Sequence, residues 1–174
     1  MRLGFLTLLL FAVSGFHGTS SPAPFSLAVV PSNSSAEGGG ITMAHNKPRV
    51  FYLVLTNVSG EPQSVWEHGN SWGYRNISFE FTSANGRKAV VSEAAQGFTM
   101  NVPSTFLIQA GEHQVYSIEL DKWWEAHPAV PKVDEMPITL KAIYEVSSTP
   151  QATERKVWTG RVESKSYKLT LSQW

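Results

Sequence analysis

The sequence has no cysteine among its 174 residues. Disulfides, thiol nucleophiles and a lipid-modified N-terminal cysteine are therefore excluded. The fold must depend on non-covalent packing alone, and the hydrophobic content of 42% is enough for a packed core.

The sequence also lacks an excess of either charge and a long hydrophobic run. Its 14 basic and 14 acidic residues give a formal net charge of zero, and no basic stripe is present. Nucleic acids and anionic membranes bind to such stripes, so neither is expected as a partner. The apolar run at residues 3–13 is shorter than the roughly 20 residues that cross a bilayer, so no membrane span is predicted.

Motifs for catalysis and metal binding are missing as well. There is no Gly-x-Ser-x-Gly elbow, and the five histidines occur at neither a His-x-His nor a His-Glu-x-x-His spacing. The glycines at 38–40 lack the lysine and the following helix of a phosphate cradle. We therefore predict no catalytic residues, no metal and no cofactor, which means that the protein is not expected to be an enzyme.

The N-terminus has the composition of a secretory signal peptide. Met1 and Arg2 give a positive end, the apolar run follows, and small residues at 14–15 and 19–21 are candidates for cleavage. We predict a signal peptide at residues 1–20, one mature domain at residues 25–174, and an extracytoplasmic location, periplasmic or secreted. A secreted domain without disulfides is more typical of bacteria than of eukaryotes.

What the sequence does contain is two-residue periodicity. Phe51, Leu53 and Leu55 alternate in a run rich in β-branched and aromatic residues, which favours a strand. Strands are predicted at residues 25–30, 50–57, 77–81, 89–91, 105–108, 114–120, 138–146, 156–163 and 167–171, with further short candidates at 41–49 and 63–67. Because each strand is apolar on one face, two sheets must pack together to bury those faces.

Turn and helix signals complete the fold prediction. Asn85 and Gly86 lie between two alternating runs, and both tolerate the positive φ of a tight hairpin. Residues 121–127 (DKWWEAH) are the only helix candidate, which Pro128 ends. The predicted fold class is all-β: an antiparallel immunoglobulin-like β-sandwich of about eight or nine strands, with one short helix at most.

Five segments combine strands and turns in a characteristic order. They are residues 55–60 (LTNVSG), 77–81 (ISFEF), 85–90 (NGRKAV), 107–112 (LIQAGE) and 140–144 (LKAIY). This order resembles the bacterial intracellular proteinase inhibitor (BsuPI) family, and the resemblance implies an immunoglobulin-like sandwich and proteinase inhibition. The predicted export departs from an intracellular role, and the tail at 157–162 looks like that of uncharacterised secreted bacterial proteins.

Aromatic residues are the most suggestive feature for function. Six tryptophans are many for a domain of this size, and exposed aromatic rings bind sugars or anchor protein partners. Trp72 and Tyr74 lie in a Gly-rich loop, while Trp123 and Trp124 are adjacent, so that at most one of the pair can point fully into the core. These four residues are the candidate ligand-binding site, with a protein or a glycan as partner; the alternative is that the tryptophans plug the ends of the sandwich.

Three functions are compatible with these features. The leading hypothesis is a non-enzymatic binding or interaction module that holds a protein partner through its end loops. The first alternative is a carbohydrate-binding module that uses Trp72, Tyr74 and one of the adjacent tryptophans. The second is proteinase inhibition through a projecting loop such as residues 93–103.

Overall fold

The computed structural model describes residues 23–31, 41–44, 50–99, 101–120, 124 and 138–172. Eleven strands and one short helix lie within those residues. The strands are β1 (Phe25–Pro31), β2 (Ile41–Ala44), β3 (Val50–Asn57), β4 (Gln63–Trp66), β5 (Ile77–Thr82), β6 (Lys88–Ser92), β7 (Thr105–Ile108), β8 (His113–Glu119), β9 (Ile138–Val146), β10 (Gly160–Glu163) and β11 (Tyr167–Ser172), and the helix is α1 (Pro150–Glu154).

The strands form two main sheets and one small one. One sheet has the order β1-β3-β8, the second has the order β2-β11-β9-β5-β6 with β10 also paired to β9, and β4 pairs with β7. All of these pairings are antiparallel except that of β2 with β11. Phe51 of β3 meets Phe79 of β5 edge to face, with ring centroids 5.2 Å apart. The two main sheets therefore enclose the core between them, and the all-β fold is confirmed.

The two-residue pattern predicts the core correctly. Phe51, Leu53 and Leu55 have no exposed surface, whereas Tyr52 is 39% exposed. At the inward positions of the other long strands the buried residues are Phe25, Leu27, Val29, Ile77, Phe79, Phe81, Tyr116, Ile118, Leu140, Ala142, Tyr144 and Val146. Burial of each large apolar side chain contributes roughly 1.5–3 kcal/mol, so this pattern supplies the main driving force for folding.

The hairpin between β5 and β6 forms at the predicted dipeptide, but its loop is longer than a two-residue turn. The Ser83 N–H donates to the Arg87 carbonyl at 3.0 Å, and the Gly86 N–H donates to the Ser83 carbonyl at 2.9 Å. Of Asn85 and Gly86, only the glycine has a positive φ, of 80°. This is a type I turn followed by a left-handed glycine, the common three-residue hairpin loop.

The helix found in the described residues, α1, is one that the sequence analysis did not predict. α1 begins after Thr149, whose Oγ1 accepts a hydrogen bond from the Ala152 N–H at 3.1 Å, and Pro150 occupies its first turn. An N-cap threonine followed by proline is a recognised helix start, but five residues are too few to show a hydrophobic period. Within the predicted helix at 121–127, Trp124 instead forms an extended bridge with Glu93. The other residues of that segment lie outside the described part of the chain.

The segment predicted as one strand at 156–163 is divided in two. Lys156 has a φ of 54°, which interrupts an extended strand. Val157 forms only an isolated bridge with Ser64, and β10 begins at Gly160. The described residues contain eleven strands rather than eight or nine, since both short candidates, at 41–49 and 63–67, form strands as well.

Some predictions concern residues that the structure does not describe. The predicted signal peptide at residues 1–20 and Trp123 lie outside the described ranges. Of the described residues, only five form a helix, and this length is far short of a membrane span.

Candidate functional site

A cleft of about 770 Å³ opens between β8 and the loop of residues 67–76, which joins β4 to β5. One wall consists of residues 114–119 of β8. The facing wall includes Glu67, His68, Tyr74, Glu93 and Trp124. The cleft therefore lies where a sheet edge meets a loop, and the loop determines its shape.

Asn70 organises this loop through a buried side chain. Its Oδ1 accepts hydrogen bonds from the N–H groups of Trp72 and Gly73 at 3.0 and 2.9 Å. Its Nδ2 donates to the Ser104 carbonyl and hydroxyl at 3.0 and 3.1 Å, and its own carbonyl accepts from the Tyr74 N–H at 2.8 Å. One amide thus satisfies groups in the loop and in the segment before β7, which holds the loop in place.

Glu93 ties the same loop to the end of β6. Its side chain is 8% exposed, with Oε1 2.9 Å from His68 Nε2. Its Oε2 accepts a hydrogen bond from the Arg75 N–H at 2.9 Å. Arg75 has a φ of 66°, and a charge-assisted bond to its N–H stabilises that left-handed conformation. A buried carboxylate is destabilising unless it has hydrogen-bond partners. The partners of Glu93 belong to the loop, so these bonds fix the loop's conformation.

Aromatic rings continue from the cleft along the loop. The His68 ring centroid lies 6.0 Å from that of Tyr74 and 5.7 Å from that of Tyr116. Tyr74 contacts Phe98 edge to face at 5.4 Å, and its hydroxyl donates to the Ala94 carbonyl at 2.6 Å. The ring of Tyr74 is thus held from two sides, which leaves its position little freedom.

Tyr116, Tyr144 and Trp158 stack from the cleft into the interior, with centroid distances of 6.4 and 6.1 Å between successive rings. Burial raises the pKa of Tyr116 to about 12, and it raises the pKa of Tyr144 well above its ordinary value, because the charged phenolate would lose its solvation. Both side chains, Tyr116 at the cleft and Tyr144 in the core, are therefore neutral at ordinary pH.

Stability above pH 10 is expected to depend on Tyr116. The pKa of about 12 in the folded protein exceeds the ordinary value of 10.0, so the unfolded chain loses its proton first. The stability that Tyr116 contributes by keeping its proton in the folded state is complete below pH 10 and is lost as the pH rises to 12. Between pH 10 and 12, the free energy of unfolding of wild type should therefore fall relative to that of Tyr116→Phe by up to about 3 kcal/mol. Urea unfolding of both proteins at several pH values measures this change. A constant difference would contradict the prediction, and Tyr52→Phe is the control at an exposed position.

Two of the four predicted ligand-binding residues lie in the cleft. Tyr74 and Trp124 both line the wall that faces β8. Trp72 is half-buried elsewhere, and its ring centroid lies 6.0 Å from that of the buried Trp66. Trp123 lies outside the described residues. The structure thus brings together one member of each predicted aromatic pair.

The segment predicted as a projecting inhibitory loop, residues 93–103, belongs to the same side of the cleft. The Asn101 Oδ1 accepts a hydrogen bond from the Ser71 N–H at 3.0 Å, and its Nδ2 donates to the Ser71 hydroxyl at 2.6 Å. With the bond between Tyr74 and Ala94, these contacts join the two loops into one rim.

The described lining residues include three carboxylates, those of Glu67, Glu93 and Glu119, and no lysine or arginine. Glu93 is buried, while Glu67 and Glu119 are exposed. Glu67 accepts a hydrogen bond from the Ser104 hydroxyl at 2.5 Å. Among the described lining residues the carboxylates are thus not offset by a lysine or arginine, an arrangement that favours cationic groups. No three carboxylate or imidazole side chains in the described part of the chain are arranged to hold a metal ion.

The sequence analysis missed Glu93, Tyr116 and Glu119 as residues of the cleft. Glu93 begins a segment without periodicity, and its partners lie in a separate loop, so no local pattern marks it. Tyr116 fits the ordinary inward pattern of β8. The only available signal was a carboxylate at the end of an apolar strand, which many surface strands share.

No protein-family model matches the chain, and no curated protein matches it. Only the geometry and the charge of the cleft therefore indicate a function for this chain.

Proposed function

We propose that this protein is a non-enzymatic binding module whose ligand lies in the cleft between β8 and the loop of residues 67–76. The observation that carries this proposal is a cleft of about 770 Å³, a volume within the range of ligand sites. The buried side chains of Asn70 and Glu93 hold its loop wall in place. A site formed in advance binds with a smaller loss of conformational entropy.

The side chains of the cleft are suited to structure and recognition. Glu93 bonds to groups of the loop, and Glu67 bonds to the Ser104 hydroxyl. Tyr74 and Trp124 present aromatic surface to the cleft, and such residues anchor binding interfaces. Within this proposal, none of these groups is required to act as a nucleophile or a general base.

A protein partner fits this cleft better than a glycan. Sugar rings stack on an open aromatic face, but Tyr74 is in contact with both His68 and Phe98. Trp72 packs against the hydrophobic core and does not line the cleft beside Tyr74. Carbohydrate binding and proteinase inhibition are therefore secondary candidates, and the predicted signal peptide at residues 1–20 puts the interaction outside the cytoplasm.

Peptide and glycan arrays, followed by NMR titration of each bound probe, test the proposal. We expect peptides to bind and to shift the amide signals of Gly69 and Ser117, one on each wall. The signal of Gly160, on β10, should stay unchanged. No binding on either array, or shifts only outside the cleft, would refute the proposal. A glycan that shifts the cleft signals when no peptide does would instead establish the carbohydrate alternative.

A further inference from the structure

The cleft runs along the edge of β8 rather than across one of its faces. Six consecutive residues of this strand, 114–119, line it. Successive side chains of a strand point to opposite faces, so an unbroken run of lining residues means that the cleft reaches the backbone between them. β8 is the last strand of its sheet, and no other described strand pairs with it.

Two hydrogen bonds show which residues of β3 bond to β1 and which bond to β8, the strands on either side of it. The Val58 N–H donates to the Pro24 carbonyl at 2.8 Å, and the Asn57 N–H donates to the Glu112 carbonyl at 3.0 Å. In an antiparallel sheet, the N–H and C=O groups of one residue point to one neighbouring strand, and those of the next residue point to the other. Even-numbered residues of β3 therefore bond to β1, and odd-numbered residues bond to β8.

This alternation identifies the backbone groups of β8 that point away from β3. Among them the Val115 carbonyl accepts a solvent-exposed hydrogen bond from Gln114 Nε2 at 3.2 Å, which a partner strand would have to share or displace. In the observed register the odd-numbered residues of β3 pair with Gln114, Tyr116 and Ile118, whose N–H and C=O groups face β3. The backbone groups of the intervening residues point the other way. They belong to Val115, Ser117 and Glu119, all of which are exposed and line the cleft. An edge of this kind is a template for a further strand.

The charge of the cleft restricts what can add to this edge. The exposed carboxylates of Glu67 and Glu119 are not balanced by a lysine or arginine among the described lining residues. Trp124 adds aromatic surface to the cleft, and aromatic rings attract cations. A second copy of this chain would bring the same carboxylates towards them and would be repelled.

We propose that an extended segment of a partner protein adds to β8 as a further strand and places a lysine or arginine side chain against this acidic rim. The inference rests on the proposed function and specifies its ligand. Main-chain hydrogen bonds to Val115, Ser117 and Glu119 supply affinity, and the cation supplies specificity. Because β8 has seven residues at about 3.4 Å each, an extended segment of about seven residues matches its length.

A phage-displayed library of short random linear peptides provides the probe, selected in parallel on wild type, Ser117→Ala and Ser117→Pro. Proline at this position removes only an outward N–H, which edge strands tolerate, and circular dichroism with thermal melting checks the fold. We expect enrichment of peptides that combine lysine or arginine with alternating apolar residues on the first two proteins. Enrichment on the proline variant should be lower by roughly tenfold or more. No enriched peptide, or equal enrichment on all three proteins, overturns the proposal.

Amide hydrogen exchange of the wild-type protein tests the same geometry without any variant. The amides of Val115, Ser117 and Glu119 should exchange rapidly in the free protein and roughly tenfold or more slowly with a selected peptide bound. The amides of Gln114 and Tyr116 should be slow in both states, because their bonds to β3 already protect them.

Charge variants test the role of the cation. Glu119→Gln should weaken binding of the selected peptide by roughly tenfold, and added salt should weaken binding to wild type. Glu154→Gln is the matched control, since this exposed residue belongs to α1 and does not line the cleft. Equal affinity of all three proteins would overturn the assignment of a cationic partner.

Failure of this inference differs from failure of the proposed function. A ligand that shifts the cleft signals but leaves the three outward amides exchanging rapidly overturns strand addition and leaves the cleft as a binding site. Slow exchange of those amides in the free monomer would identify a segment of the chain itself as the occupant. Slow exchange only at concentrations where the protein dimerises would identify a second copy.

Discussion

Replacing Gly73 with alanine is expected to lower the free energy of unfolding by roughly 3 kcal/mol or more. A Cβ at this position would lie 2.1 Å from the carbonyl oxygen of Glu67 and 2.6 Å from its carbonyl carbon. Both are backbone atoms, which cannot rotate away as the end of a side chain can. The loop must therefore shift as a unit, and the hydrogen bonds of Asn70 to it will be strained. Urea unfolding monitored by circular dichroism measures the loss.

Gly69→Ala is the matched control for this change. Gly69 belongs to the same loop, but a Cβ there would meet no atom within 4 Å, so we expect a change within about 0.5 kcal/mol. Peptide binding in the cleft should be lost in Gly73→Ala, because Tyr74 directly follows the strained residue. A Gly73→Ala protein with wild-type stability and binding would show that the close approach to Glu67 is unimportant.

Replacing Asn57 with alanine is expected to cost roughly 3 kcal/mol of stability. This side chain is fully buried at the end of β3. Its Nδ2 donates to the carbonyls of Glu61 and Ile108 at 2.8 and 2.9 Å, and its Oδ1 accepts from the N–H and hydroxyl of Ser59 at 2.9 and 2.7 Å. Truncation removes four hydrogen bonds at a buried position. The Ser59 hydroxyl and the Glu61 carbonyl still bond to each other, whereas the Ser59 N–H loses its acceptor, and a buried group left unsatisfied costs about 1–3 kcal/mol. The midpoint of urea unfolding should fall accordingly.

Asn85→Ala is the comparison at an exposed asparagine. The Asn85 Oδ1 also accepts two hydrogen bonds, from the Ser83 hydroxyl and the Arg87 N–H, but this hairpin residue is exposed and water can replace it. We expect a loss below about 1 kcal/mol. Similar losses in Asn57→Ala and Asn85→Ala would contradict the explanation by burial.

Strand prediction succeeded where the physical cause is local. Alternation in residues 50–57 needs only the geometry of an extended chain and a preference for apolar burial, and Phe51, Leu53 and Leu55 are buried as expected. The helix of the described residues, at 150–154, was missed because five residues show no hydrophobic period. Of the segment predicted as a helix, 121–127, the one described residue is Trp124, which forms a bridge with the distant Glu93.

The sequence by itself determined the fold class, the inward face of each long strand and the place of the β5–β6 hairpin, because these depend on residues a few positions apart. Only the tertiary structure decided that Tyr74 and Trp124 share a cleft, that Glu93 orders the loop beside it, and that β8 is an edge among the described strands. Pairing order and loop docking depend on contacts between residues far apart in the sequence, for which one chain contains no periodic signal.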